Sequence, residues 1–219
     1  MISIAIDGPA GAGKSTIAKA VSQKLSFIYV DTGALYRAVG LYVIQNGIVD
    51  DANIIFSLKK IKVDLKFENG AQKILLCDED VSDMIRTPEV SMMASKVSAL
   101  PEVREFLLEL QRNLAAQNNV IMDGRDIGTV ILPNADVKIF LTASPEKRAT
   151  RRYKELVAKG LQVTYDKVLN DIVKRDYDDS HRTVAPLTPA SDAVFVDTSD
   201  YTLEESVNLV LNVIENKLK

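Results

Sequence analysis

Residues 8–15 read Gly-Pro-Ala-Gly-Ala-Gly-Lys-Ser, a pattern in which two glycines flank four residues and Lys and Ser follow. The preceding run Ile2–Asp7 is short and apolar enough for a buried strand. Behind the pattern, apolar residues recur at helical spacing at Ile17, Ala18, Val21 and Leu25. A strand, a glycine-rich loop and a helix in this order form the context in which such a pattern binds phosphate groups.

The predicted loop binds phosphate mainly through its backbone. Glycines let successive N–H groups curl around phosphate oxygens, and the helix that follows directs its positive end toward them. Lys14 is then expected on the β- and γ-phosphates, and the Ser15 hydroxyl on Mg²⁺. An alternative is a glycine-rich turn that opens a helix and binds no ligand. The predicted nucleotide-binding positions of the loop are Gly8, Pro9, Ala10, Gly11, Ala12, Gly13, Lys14, Ser15 and Thr16.

The composition describes an ordinary globular chain. With 219 residues, of which 47% are hydrophobic and 26% charged, the chain is long enough to bury a full core in one domain. The formal net charge of −3 argues against a nucleic acid polymer as the main partner, because no basic excess drives counterion release. The single cysteine, Cys77, excludes an intrachain disulfide and a cysteine-based zinc site.

The start of the sequence favours a cytoplasmic protein. The chain enters its first predicted strand at once, without a basic stretch and a long apolar run. No other segment approaches the length of a membrane span, and a lone cysteine suits a reducing compartment. We therefore expect a cytoplasmic location and no membrane partner.

Predicted strands and helices alternate along the chain, which favours a parallel sheet covered by helices on both faces. The predicted strands are Ile2–Ile6, Phe27–Val30, Val120–Met122, Val137–Thr142 and Ala193–Val196. The predicted helices are Lys14–Leu25, Leu35–Asn46, Val103–Ala116, Pro145–Ala158, Asp166–Tyr177 and Leu203–Leu218. We expect an α/β fold of the three-layer, phosphate-loop NTPase type with a parallel five-stranded sheet.

One stretch interrupts this alternation. Lys62–Phe67 alternates polar and apolar residues, Glu68-Asn69-Gly70 is a turn signal, and Lys73–Cys77 resumes β character. The pattern predicts a small antiparallel β insert carried by a single domain over residues 1–219.

A phosphate loop alone does not separate a kinase from a GTPase, a motor or a transporter ATPase. The Asn-Lys-x-Asp element that reads guanine does not occur here, and a large motor normally needs a longer chain. Arginines near predicted turns and strand ends suit phosphoryl transfer, because they offset repulsion between two anions and stabilise charge on the transferred group. These arginines are Arg37, Arg125, Arg148, Arg151, Arg152, Arg175 and Arg182.

In their order and spacing, the motifs resemble those of the bacterial-type cytidylate kinases, which are nucleoside monophosphate kinases. The resemblance runs from the first strand to the last helix, and the phosphate loop is its one motif that is specific alone. The matching segments beyond that loop are 31–37 (Asp-Thr-Gly-Ala-Leu-Tyr-Arg), Ser95, 100–104 (Leu-Pro-Glu-Val-Arg), 123–129 (Asp-Gly-Arg-Asp-Ile-Gly-Thr), Arg175-Asp176 and 179–187.

The resemblance implies an enzyme that transfers the γ-phosphoryl group of ATP to CMP or dCMP, with Mg²⁺ as the metal. It implies an acceptor-binding region over residues 31–105, which includes the β insert at about 62–83. It also implies a lid region over residues 146–184 and a monomeric protein.

In this family, reading of the base is assigned to Ser95, Arg104 and Asp126. Cytosine has an amino donor at N4 and acceptors at N3 and O2, so a carboxylate at Asp126 suits N4. The donors on Ser95 and Arg104 suit N3 and O2. Uracil O4 would instead face the Asp126 carboxylate, and UMP is therefore expected to be a poor substrate.

Other implied substrate contacts fall on the phosphate and the sugar of the acceptor. Arg37, Arg125 and Arg182 resemble the clamp on the monophosphate, because guanidinium forks match phosphate oxygens. Arg175 and Asp179 are similar to residues that contact the sugar. Asp31 and Thr32 complete the implied substrate set, and many relatives carry Ser where this chain has Thr32.

The remaining implied roles concern the metal and the lid. Asp123 is expected to hold Mg²⁺ through water, beside Ser15. Arg148, Arg151 and Arg152 resemble a mobile lid that closes over ATP and excludes water. The implied catalytic residues are Lys14, Arg125, Arg152 and Arg182.

Several of these residues have simpler alternative roles. Arginines on helices such as Arg148 are usually solvated or salt-bridged, and Asp126 has an alternative role as a cap of the next turn. An alternative is that a solvated acidic face is formed by Asp176, Asp178 and Asp179. We expect His181 to face solvent in the lid loop.

Two other functions also remain open. One is another small-molecule kinase of the same fold, such as an adenylate-, shikimate- or gluconate-kinase-like activity, against which Ser95, Arg104 and Asp126 argue. The other is an ATP-binding regulatory module, against which the intact Lys14 and the arginines argue, since a pure binder needs no transition-state cations.

Overall fold

The computed structural model describes residues 1–68 and 71–219. Its strands are β1 Ser3–Asp7, β2 Ile28–Asp31, β3 Val63–Glu68, β4 Ala71–Leu76, β5 Glu79–Asp80, β6 Val120–Gly124, β7 Val137–Thr142 and β8 Val194–Asp197. Its helices are α1 Lys14–Leu25, α2 Thr32–Gln45, α3 Asp51–Ser57, α4 Pro88–Val97, α5 Pro101–Gln117, α6 Pro145–Ala158, α7 Tyr165–His181 and α8 Leu203–Lys217. A π-helical turn, Ile127–Ile131, follows β6.

Five strands form one sheet in the order β2-β6-β1-β7-β8. The β1-β7 and β7-β8 pairs are parallel, with Ile6 beside Ile139 and Ile139 beside Val194. The predicted parallel five-stranded sheet with helices is confirmed.

The β insert forms a second sheet in the order β3-β4-β5. Both of its pairs are antiparallel, and Leu65 of β3 lies opposite Ile74 of β4. The predicted antiparallel insert is therefore confirmed as well. Its predicted turn includes Asn69 and Gly70, which lie outside the described residues.

Internal contacts divide the chain into two compact units. We call residues 2–27 and 121–219 the phosphate-loop unit, and residues 28–120 together with Met1 the hairpin unit. The region 31–105, expected to bind the acceptor, falls in the hairpin unit. The region 146–184, expected to form the lid, falls in the phosphate-loop unit.

The core of the phosphate-loop unit rests on β1 and β7. Ile4 and Ile6 of β1 and Ile139 and Leu141 of β7 are at most 1% exposed. Helix α1 buries one face against this core, through Ile17, Ala18 and Val21. The glycine-rich loop at 8–13 is thus held between a buried strand and a helix with a buried face.

In the hairpin unit, α2 and α4 pack closely against each other. A Cβ atom added at Gly40 would lie 3.1 Å from the backbone nitrogen of Ala94, so the absence of a side chain permits this approach. Helix α4 was not among the predicted helices, although Thr87, Pro88 and Glu89 form a helix start. The Thr87 hydroxyl accepts from the Val90 N–H at 3.2 Å, and proline suits the first helical position.

Other element boundaries differ from the predicted ones for local reasons. Helix α2 begins at Thr32 instead of Leu35, because the Asp31 carboxylate caps it by accepting from the Ala34 N–H at 3.0 Å. His181 is exposed, as expected. It lies at the end of helix α7 and not in a loop, because α7 continues to this residue, and its ring stacks on Tyr177. Helix α3 was also missed. Of the helices within residues 1–68 and 71–219, none combines the length and the apolar character needed to cross a bilayer.

Candidate active site

The phosphate loop leaves β1 through a residue that has to be glycine. Gly8 has φ 149°, and a Cβ atom there would lie 1.9 Å from the Leu141 carbonyl oxygen. The loop then runs to Gly13, which is the N-cap of α1. The helix therefore begins at Lys14 with its N-terminal N–H groups directed at the loop, as an anion site requires.

Lys14 is the buried cation of this loop, with 5% of its surface exposed. Its Nζ donates a hydrogen bond to the Pro9 carbonyl at 2.8 Å, which folds the side chain back over the loop. Burial, with repulsion from Arg125, lowers the pKa of Lys14 to about 7, although Asp123 and Asp7 oppose this shift. A bound polyphosphate would restore the charge, so the site is matched to an anion.

Ser15 and Asp123 lie side by side at the start of α1 and near the end of β6. The Ser15 hydroxyl donates to Oδ2 of Asp123 at 2.9 Å, and Asp123 is buried. A hydroxyl and a carboxylate are oxygen donors of the kind that Mg²⁺ prefers. Within the described part of the chain, no group of three or more His, Cys, Asp or Glu side chains forms a metal cluster. A site with only one or two protein ligands suits Mg²⁺, because this ion usually takes its other ligands from water and substrate phosphates.

Arg125 and Asp179 form a largely buried ion pair beside this loop. Nε of Arg125 donates to Oδ2 of Asp179 at 2.7 Å, and Nη1 donates to the Gly124 carbonyl at 3.2 Å. Burial alone would raise the pKa of Asp179, but Arg125, with Arg175 and Arg182, lowers it below its usual value. Asp179 is thus a fixed anion that orients Arg125, and it is not part of a solvated acidic face.

Asp126 is buried at the position where β6 passes into the π-turn. Although Asp126 is the N-cap residue, its side chain makes no capping hydrogen bond to the turn, so its alternative role as a cap is not observed among the described residues. Nη2 of Arg182 lies 3.8 Å from Oδ1 of Asp126, and Nε of Arg182 donates to the Ala185 carbonyl at 2.7 Å. A carboxylate and two guanidiniums are therefore concentrated near the end of β6.

Arg148 is buried and supports the phosphate loop itself. Its Nη1 donates to the Ala10 carbonyl at 2.9 Å, and its Nε donates to the Ala143 carbonyl at 2.8 Å. Both Nη atoms also bind Asp176, at 3.0 and 2.6 Å. Of the two alternative roles for Arg148, the solvated one is not observed and the salt-bridged one is, with Asp176 as the partner that orients it.

Three further arginines of the lid region, Arg151, Arg152 and Arg175, are more accessible than Arg148. Nη2 of Arg151 donates to the Thr198 carbonyl at 2.6 Å, and Nη1 of Arg152 pairs with Glu155 at 2.8 Å. Arg175 is exposed on α7. Contacts of these side chains with ATP or with the sugar remain predictions.

In the hairpin unit, Asp31 organises the residues expected at the acceptor phosphate. Its Oδ2 accepts from Nη2 of Arg37 at 2.7 Å, while Oδ1 caps α2. Its backbone N–H donates to the side-chain oxygen of Gln72 on β4 at 2.8 Å. Thr32 is buried in the first turn of the same helix. The β insert thus braces Asp31, and Asp31 orients Arg37.

Ser95 and Arg104 occupy the end of α4 and the start of α5. The Arg104 guanidinium lies 5.5 Å from the centre of the Tyr36 ring and donates to the Ser98 carbonyl at 3.1 Å. Ser98 in turn donates through its hydroxyl to the Ser95 carbonyl at 2.9 Å. The two predicted base contacts are thus linked within the hairpin unit, whereas Asp126 belongs to the phosphate-loop unit.

Sequence reasoning missed three residues that this geometry brings forward. They are Asp7, Gln72 and Asp176, whose partners are a backbone turn, the backbone of Asp31 and Arg148 respectively. Asp176 belongs to the Arg175-Asp176 pair that matches the family, so the sequence does contain a signal for it. Asp7 and Gln72 bind backbone groups that are distant in sequence, which no local pattern reveals.

The fold and the loop define a phosphate-loop kinase class. The chain is similar in structure to a shikimate kinase from Bacteroides thetaiotaomicron, with a TM-score of 0.50 at 15% identity over 98% of each chain. A gluconokinase from Sinorhizobium meliloti has the same TM-score at 16% identity, over 98% of this chain and 92% of that one. At these identities the likeness concerns the fold alone.

Sequence comparison defines the family within that class. A family model described as cytidylate kinase matches residues 4–216. A cytidylate kinase of Carboxydothermus hydrogenoformans is 54% identical over 98% of this chain and 97% of its own length. A cytidylate kinase of Caldicellulosiruptor bescii is 50% identical over 100% of this chain and 97% of its own length. The chain belongs to the cytidylate kinase family, and the resemblance inferred from its motifs is confirmed.

Proposed function

We propose that this chain is an enzyme that transfers the γ-phosphoryl group of ATP to CMP or dCMP, giving ADP and CDP or dCDP. The observation that carries the proposal is the match of nearly the whole chain to relatives named cytidylate kinase at about half identity. The buried Lys14 on the phosphate loop and the buried Asp126 beyond β6 support it, because they supply a donor-phosphate cation and a cytosine N4 acceptor.

Transfer occurs in line between two phosphates, with no covalent enzyme intermediate. The acceptor is already a phosphate oxygen, so no side chain has to act as a strong base, and catalysis rests on positioning and electrostatics. Lys14 and the backbone of residues 8–16 hold the donor phosphates. Arg125, Arg152 and Arg182 stabilise the charge that develops on the transferred group.

Acceptor recognition is the role of three groups of side chains. Arg37, Arg125 and Arg182 bind the monophosphate, and Asp31, Thr32, Arg175 and Asp179 lie along the phosphate and sugar. Ser95, Arg104 and Asp126 read the base, with rejection of UMP by roughly a thousandfold. The ion pairs of Arg37 with Asp31 and of Arg125 with Asp179 support these roles, since a guanidinium already oriented loses less entropy on binding phosphate.

The Ser15 hydroxyl and, through water, Asp123 would hold Mg²⁺, which would neutralise charge on the donor phosphates. Arg148 supports the loop through its hydrogen bond to the Ala10 carbonyl, while Arg151 and Arg152 are the lid residues that contact ATP when the lid closes. We also propose a monomer that works in the cytoplasm, in line with the family resemblance and the single, exposed Cys77.

An acceptor panel tests the proposal. ADP release from MgATP is measured with CMP, dCMP, UMP, AMP, shikimate and gluconate in turn. Turnover with CMP and dCMP and little with the others is the expected result. Turnover with another acceptor instead would overturn the base-reading roles, and no turnover with any acceptor would favour an ATP-binding regulatory module.

A further inference from the structure

One buried carboxylate has no part in the roles described so far. Asp7 is the last residue of β1, directly before the phosphate loop, and is 4% exposed. Its two oxygens accept from consecutive backbone N–H groups, Oδ1 from Ile127 at 2.8 Å and Oδ2 from Gly128 at 2.7 Å. These two amides open the π-turn 127–131.

The amides that Asp7 binds come immediately after two proposed acceptor contacts. Arg125 and Asp126 lie between the end of β6 and the π-turn, and the side chain of Asp126 does not cap that turn. Asp7 therefore performs the capping from a position more than a hundred residues away in sequence. A carboxylate that accepts two parallel N–H bonds fixes both the position and the direction of the segment that donates them.

On its other side, Asp7 is anchored to the donor site. Gly8 follows it, and the backbone there lies so close to the Leu141 carbonyl that a Cβ atom would not fit. Burial raises the pKa of Asp7 to about 6, even though the two N–H groups oppose this shift. A carboxylate kept in such surroundings is typical of a functional site more than of a purely structural one.

We propose that Asp7 is a positioning residue for the acceptor nucleotide: it holds residues 124–128 so that Arg125 and Asp126 meet the monophosphate and the base. This inference rests on the proposed function. Because MgATP is recognised by residues 8–16, loss of Asp7 affects the acceptor and its base preference more than the donor.

The test compares Asp7→Asn with the matched variant Asp136→Asn. An amide at position 7 has one acceptor and a donor that faces an N–H group, so one of the two bonds is lost. Asp136 accepts from the N–H and the hydroxyl of Ser3, at 2.7 and 3.1 Å, at the opposite end of β1. KM and kcat are measured for CMP, UMP and MgATP, together with thermal unfolding.

In Asp7→Asn, we expect the KM for CMP to rise about tenfold or more and the preference for CMP over UMP to fall by about tenfold. The KM for MgATP is expected to stay within about threefold, and Asp136→Asn to match the wild type. An equal rise in the KM for CMP and for MgATP, or an unchanged base preference, would overturn the proposal.

A variant of Asp7 that does not fold also gives a result that can be interpreted. If Asp7→Asn does not fold, Asp7→Glu, which keeps both acceptors on a longer side chain, is measured with the same readouts and expectations. Failure of both variants to fold assigns Asp7 to folding and overturns the positioning role. A wild-type chain that does not phosphorylate CMP instead refutes the proposed function, before any variant is made.

Discussion

The two units present their proposed ligand contacts in different ways. In the phosphate-loop unit, the proposed anion site lies in one stretch, residues 8–15, and consists of backbone N–H groups with a single buried lysine. In the hairpin unit, the proposed contacts are side chains on separate elements, and each is oriented by a neighbour. Arg37 is held by Asp31, and Arg104 by the Tyr36 ring and the Ser98 carbonyl.

This difference separates binding of the phosphate donor, which many kinases share, from recognition of the acceptor, which is specific. A backbone site needs little more than glycines and a helix N-terminus, so unrelated kinases with the same fold use it for one common ligand. Side-chain contacts differ with the acceptor, and their partners must be rebuilt for each acceptor. We therefore propose that the hairpin unit and the segment after β6 carry the choice of acceptor, so that variants there fail differently from variants of the phosphate loop.

The largest effect is expected from Lys14→Met, on the donor side. Turnover should fall by about a hundredfold to a thousandfold or more with every acceptor, because a cation on the transferred phosphate is lost. Steady-state kinetics with CMP and dCMP measure this loss. Lys19→Met removes an exposed lysine of the same helix and should leave kcat unchanged. Near-normal turnover in Lys14→Met would refute the phosphate-loop assignment.

Without bound ligand, Lys14→Met should be more stable than the wild type to an extent that depends on pH. The folded pKa of Lys14, about 7, lies below the ordinary 10.5, so the unfolded chain binds more protons between these values. Wild-type stability therefore rises with pH across this window, and the burial penalty is largest at pH 7 and below. Lys14→Met should be more stable than the wild type at pH 7, by on the order of a few kcal/mol. Urea unfolding should show this gap closing toward pH 10, and a constant gap would contradict it.

Next in size is Asp126→Asn. The amide nitrogen suits uracil O4, and the charged carboxylate that accepts from cytosine N4 is replaced by a single neutral oxygen, so kcat/KM for CMP should fall by about a hundredfold or more while UMP improves relative to it. The KM for MgATP should change little. Asp178→Asn, an exposed carboxylate, is the control. Equal losses for CMP and MgATP would remove Asp126 from base reading.

The smallest effect is expected from Gln72→Ala in the β insert. Loss of its hydrogen bond to the Asp31 N–H should loosen Arg37 indirectly and raise the KM for CMP by about twofold to tenfold. The KM for MgATP should not move. Lys66→Ala alters an exposed residue of β3 and serves as the reference. An unchanged KM for CMP would mean that the insert does not support the acceptor site.

Local patterns were sufficient for the parts of the fold with strong periodicity or a motif. The glycine-rich loop, the bounds of α1 and α6, and the pairing of β3 with β4 all follow from residues close in sequence. Helix α4 was missed despite its Thr-Pro-Glu start and the helical spacing of Val90, Ala94 and Val97. The π-turn after β6 was not predictable, since its cap is Asp7, from another strand.

The candidate site shows the same division. Lys14, Ser15 and Asp123 were predicted from the loop and from a strand end, and the structure places Ser15 against Asp123. Arg148 was expected at ATP, but its hydrogen bonds run to the loop carbonyl of Ala10 and to Asp176. No spacing rule distinguishes a helix arginine that faces a ligand from one that supports a loop, because the distinction depends on tertiary partners.

Calorimetric titration of CMP without ATP, into the wild type and into Lys14→Met, tests this division of labour most directly. We expect CMP to bind both proteins with Kd values within about threefold of each other, although only the wild type turns over. Loss of CMP binding in a folded Lys14→Met variant, or no CMP binding to the wild type, would contradict it.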